Sequence, residues 1–148
     1  MGGDFASLTD MRNTAPARQV AHRAAVASAD SAPTAASAWA ENSGWWPRAR
    51  AYCTVAWNGG TSPTVTLRVW ARKRLFGDEA GVEQYGVLLA PAPAGTPTLA
   101  EFVVTPVTGS TAFVFDIPAN GDDIFVQVVS VSGAPTGFVF NCAIGWRA

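Results

Sequence analysis

The chain has little of what small proteins use to fasten themselves or to react. Of its 148 residues only two are cysteine, Cys53 and Cys142, and one is histidine, His22. Two distant thiols exclude a disulfide scaffold and a thiolate zinc site, both of which need clustered ligands. Both are expected to be buried, as cysteine commonly is. No metal site and no cofactor is expected.

Charge is scarce too. Charged residues make up 14% of the chain and the net charge is -1, so no basic field advertises nucleic acid and no acidic tract a solvating tail. No window approaches eighteen consecutive apolar residues, so neither a membrane span nor a membrane partner is expected. Asp4 stands where a secretory signal carries basic residues, and His22, Arg23 and Asp30 would interrupt its apolar stretch, which points to synthesis in the cytoplasm.

Catalytic constellations are equally thin. His22 lies among alanines with no evident strand to orient it, which leaves a Ser, His and carboxylate set without support. Asp116, Asp122 and Asp123 are not flanked as a glycosidase pair would be. NGDD, residues 120–123, lacks the alternating ligand spacing of a calcium loop. It reads as a turn, with Asn and Gly accepting positive φ and the acids keeping the tip wet. The chain is therefore expected not to be an enzyme.

What is present falls into two unlike parts. Residues 1–44 hold 13 alanines and a thin scatter of larger apolar side chains, too little to form a core. ARQVAHRAAVASA after Pro16 could open a short helix, but its stripe of Val20, Ala24 and Ala27 is feeble. The segment is read as an extended N-terminal arm that neighbouring molecules hold in place, with Phe5, Leu8, Met11 and Trp39 as anchors entering separate pockets; a crystal contact or a groove on its own sandwich is the alternative.

From residue 45 to 148 the period becomes two. RARAYCTVAW and TVTLRVWARKRLF alternate apolar and polar residues, and five further runs follow: QYGVLLA, LAEFVVT, STAFVFDI, DDIFVQVVSVS and TGFVFNCAIGW. Seven strands broken by Pro and Gly predict an all-β fold, a β-sandwich of the jelly-roll kind if residues 34–41 add an eighth strand. Trp57 and Trp146 belong to inward-facing patterns. Runs such as FVF at 113–115 are apolar on both faces, which predicts a contact with another copy of the chain.

The first two strands read as a hairpin across NGGTSP. A register placing Val55 opposite Leu67 sets Arg50 against Arg72 and Arg48 against Arg74, with Tyr52, Arg68 and Trp70 between. Like charges opposed on a ladder destabilise it, so this face is a candidate docking surface for an acidic protein, with Arg48, Arg50, Arg68, Trp70, Arg72 and Arg74 as contacts. An open Trp70 offers a second reading, a carbohydrate- or receptor-binding module of a phage fibre or tail.

A compact all-β domain containing TVTLRVWAR and DIFVQVVSVS, with an Ala/Ser-rich extension and no catalytic set, resembles the jelly-roll decoration or cement proteins of tailed bacteriophage capsids. The resemblance covers residues 45–148 in pattern and the arm in character. It implies a non-enzymatic virion component, commonly a homotrimer, that binds across neighbouring major capsid proteins.

Overall fold

The computed structural model describes residues 19–73, 84–86, 101–104 and 110–148; Phe5, Leu8, Met11 and Arg74 lie outside them. The described residues form ten strands in chain order: β1 (Gln19–Val26), β2 (Arg48–Ala56), β3 (Gly59–Gly60), β4 (Thr64–Arg72), β5 (Gln84–Gly86), β6 (Glu101–Val104), β7 (Ser110–Pro118), β8 (Asp123–Ser132), β9 (Pro135–Thr136) and β10 (Val139–Arg147). Each of the seven expected runs overlaps at least one of them. The described residues include no helix, and every strand pair is antiparallel. The fold is all-β.

One sheet has the order β1-β10-β2-β7. In the other, β8 lies along one side of β4, and β5 and β6 share the opposite side, pairing with Trp70–Arg72 and Val65–Arg68. Because side chains alternate along a strand, each sheet has an apolar face, and the two faces share one core. Ala49, Ala51, Cys53 and Val55 of β2 and Phe140, Cys142, Ile144 and Trp146 of β10 come from the first sheet; Val65, Leu67, Val69, Ile124, Val126 and Val128 come from the second. Burying each of the larger ones contributes about 1.5 to 3 kcal/mol. Small residues make room for large ones: Ala49 is the cross-strand neighbour of Trp146, and Ala51 of Ile144. Trp57 packs against the same cluster.

The expected hairpin does not form. β2 lies between β10 and β7, and β4 lies in the other sheet, so the register opposing Arg50 to Arg72 and Arg48 to Arg74 is replaced. The linker is the cause. It is longer than a two-residue turn and contains β3, which pairs with β9 instead of closing a hairpin. Gly60, at φ +78°, lies so close to the backbone of Ala134 and Thr136 that a side chain would collide there.

Two expectations before residue 45 also change. Residues 19–26 form β1, because β10 offers an edge and Val20 and Val26 reach the core cluster. In place of a strand over 34–41 there is a single antiparallel bridge, Ala40 to Ile124.

Cys53 and Cys142 are free, buried and directly opposed across β2 and β10. The hydrogen-bonded Cys142 thiol and burial together push the Cys53 thiol well above its usual range. A water-soluble disulfide reagent is therefore expected to modify neither thiol until the chain is unfolded; rapid reaction of the native protein would contradict this packing.

Candidate functional site

The Ala/Ser-rich stretch is held by the edge of its own second sheet. A strand edge presents unpaired amides, and leaving them unmet inside a protein is costly. On the outer edge of β8 three alternate N–H groups are each met by a different device. Ile124 donates to the Ala40 carbonyl at 3.0 Å. Val126 donates to His22 Nε2 at 2.9 Å. Val128 donates to Asp30 Oδ2 at 3.0 Å, and the Asp30 N–H returns a bond to the Val128 carbonyl at 2.7 Å. The segment from His22 to Ala40 thus replaces a partner strand with one bridge and two side chains.

A buried ion pair locks the far end of this segment. Arg72 Nη2 lies 2.7 Å from Asp123 Oδ2, with the two side chains 9% and 1% exposed. The other carboxylate oxygen accepts the Asn42 N–H at 2.8 Å, and Arg72 Nη1 donates to the Ala35 carbonyl at 3.1 Å. The guanidinium sits 5.0 Å from the centroid of the buried Trp39 ring, whose Nε1 donates to the Thr34 carbonyl at 2.8 Å. Trp39 therefore anchors the segment to its own sheet. Asp123 does not keep a loop tip wet; it compensates Arg72. The rest of NGDD is the expected turn, with Asn120 at φ +51° and Gly121 at φ +85°.

His22 lies on β1, so a rigid strand does orient it. A ring nitrogen that accepts an amide N–H must be unprotonated, so the hydrogen resides on Nδ1. That atom is buried and has no hydrogen-bond partner among the described residues. Burial first, and the neighbouring Arg23 second, lower the His22 pKa to about 3. Phe125 meets the imidazole edge-on at 5.3 Å, and Arg23 lies 4.6 Å over the same Phe125 ring while bonding Asp30 at 2.8 Å. A cleft of about 550 Å³ opens beside these groups. His22 Nε2 and both Asp30 oxygens are already engaged by the chain. They are not disposed as base and nucleophile. Among the described residues no three metal-ligating side chains cluster.

The candidate arginines divide between the sheets. Arg68, Trp70 and Arg72 share the outer face of β4, with Arg72 turned into the buried network. Trp70 Nε1 donates to Gln127 Oε1 at 2.8 Å, and Arg68 lies 5.8 Å over its ring. Arg48 and Arg50 lie on the other sheet, where Arg147 of β10 is the cross-strand neighbour of Arg48. Arg50 grips Asp116 with Nε at 2.7 Å and Nη2 at 3.2 Å. This bond, aided by the charges of Arg50, Arg147 and Arg48, holds the Asp116 carboxyl below its usual range. Val114, more than half exposed, lies on β7 beside Tyr52 of β2. Sequence reading missed Arg147, Asp116 and Asn42 as partners, because only the strand order brings them to these positions.

No protein-family model matches the chain, and comparison with curated proteins and with solved structures found no match.

Two outcomes follow from the clasp. Asp123→Ala is expected to destabilise the fold by about 3 to 5 kcal/mol, because it strands a buried guanidinium, whereas replacing Arg72 and Asp123 together by apolar residues should cost less. Equal losses in denaturant titrations would contradict a buried pair. A histidine whose folded pKa lies below its unfolded value stabilises the fold fully above about pH 6.5. That contribution falls by roughly 1.4 kcal/mol per unit as the pH drops toward 3. His22→Gln should remove this slope from the difference between variant and native chain; an unchanged pH profile would refute it.

Proposed function

We propose that the chain is a β-sandwich of the jelly-roll kind that serves, without catalysis, as a structural component of a large protein assembly. Strand order supports the fold. If the bridge at Ala40 counts as a reduced strand, and β5 with β6 as one interrupted strand, eight positions arise in chain order. The sheet order β1-β10-β2-β7 then reads 1-8-3-6, and Ala40-β8-β4-β5/β6 reads 2-7-4-5. Two interleaved Greek keys give this arrangement, which builds both viral capsid and lectin domains. Between those two uses, Trp70 favours the first: with Arg68 over its ring and Nε1 bonded to Gln127, it is a poor platform for a sugar.

The observation that carries the assembly role is the pair Arg48 and Arg147, opposed on the solvent face of the β2–β10 ladder beside Arg50 and Asp116. Like charges so placed repel each other, and Asp116, already bonded to Arg50, offsets them only in part. A neighbouring subunit with carboxylates would gain bidentate bonds. The setting proposed is a virion, with a major capsid protein or another virion protein as neighbour and a homo-oligomer, a trimer by resemblance, as the working unit.

The test needs no partner. Arg48→Glu turns the opposed arginines into a cross-strand ion pair and is expected to stabilise the free chain by about 0.2 to 1 kcal/mol, read from the thermal midpoint. A clear loss of stability would show that the arginines serve the fold itself and would contradict this reading.

A further inference from the structure

Where β2 begins and β7 and β10 end, the chain turns a tryptophan outward. Trp45 has φ +53°, a left-handed conformation that bulky side chains rarely adopt, and its surface is 50% exposed. Asn42 enforces this. Fully buried, it accepts the Trp45 N–H on its carbonyl at 3.2 Å and the Trp46 N–H on Oδ1 at 2.8 Å. Its Nδ2 donates to the carbonyls of Trp46 at 2.8 Å and Asp122 at 3.3 Å. Its own N–H binds Asp123, so the turn is fixed to the buried ion pair. Trp46, the next residue, packs on the core, whereas Trp45 lies at the surface against Gly121. Strained backbone persists only where its surroundings over-determine it, and it concentrates at functional sites.

Arg48 follows three residues later, and Arg147 stands across from it. We propose that this corner is a protein-docking site occupied by an acidic segment of another protein, with Trp45 as the apolar anchor and Arg48 and Arg147 binding its carboxylates. The inference rests on the assembly reading above and deepens it by naming the contact and its chemistry. Tryptophan and arginine dominate interface hot spots, and the guanidinium fork matches a carboxylate. A protein fits better than a nucleic acid. Three arginines at one corner, one of them already held by Asp116, do not make the stripe along which a phosphate backbone could run.

The experiment uses the full chain and a fluorescent synthetic peptide of glutamates flanking a central leucine, followed by polarisation. The native chain is expected to bind it, more weakly as salt rises. Trp45→Ala, Arg48→Glu and Arg147→Glu should each weaken binding about tenfold or more, and the exposed Lys73→Glu should not. Trp45→Gly, which suits the positive φ, should have a higher thermal midpoint than Trp45→Ala yet lose binding equally, which separates docking from folding. Absence of binding by the native chain, native-like binding by the Trp45 variants, or tighter binding of an oligothymidine would overturn the inference. If Arg48→Glu stabilises the free chain while Trp45→Ala still binds the peptide, the docking site fails and the assembly reading stands. If Arg48→Glu destabilises it, the assembly reading itself has failed.

Discussion

The outer edge of β8 is the constraint on which the rest of the structure depends. Two sheets that share one core still leave strand edges at their flanks, and an edge with unmet amides invites pairing with another chain. Here Ala40, His22 and Asp30 meet the amides of Ile124, Val126 and Val128 in turn. His22 belongs to β1, the edge strand of the other sheet. One side chain therefore ties the two sheets together along that flank.

Such a clasp explains how a stretch with so few apolar side chains is ordered. Ordering costs about 1 to 2 kcal/mol per residue in backbone entropy, and alanine and serine offer little burial in return. The clasp concentrates its interactions at a few points. Trp39 supplies apolar area, Arg72 and Asp123 supply charge, and Asn42 carries the restraint onward into the Trp45 turn. A buried ion pair is a poor source of net stability, but it is intolerant of the wrong geometry. In this chain it sets where residues 35 to 46 lie, and so where the exposed tryptophan stands.

The sequence made the strands legible and left their partners obscure. Period-two alternation located β2, β4, β7, β8 and β10, and it placed Trp146 and Leu67 inward, because alternation is a local property of a pleated backbone. Pairing is not local. Taking the two strands beside NGGTSP as a hairpin put Arg50 against Arg72, whereas the crossing between sheets puts Arg50 with Asp116 and Arg72 with Asp123. β1 escaped notice because its residues are mostly small and it relies on the β10 edge instead of on a strong pattern of its own. Asp30 and His22 gave no sequence signal at all: a side chain that imitates a strand is visible only beside the strand it completes. The arginines on the solvent face were legible as residues, but Arg147, which stands opposite Arg48, was supplied by the β2–β10 register.

Native-state hydrogen exchange of the full chain, read residue by residue, tests the clasp most directly. The account predicts that the amides of Ile124, Val126 and Val128 exchange as slowly as their neighbours on β8 that face β4, and that His22→Phe accelerates Val126 before the others. Fast exchange of those three amides in the native chain would contradict it, because the edge of β8 would then be open to water.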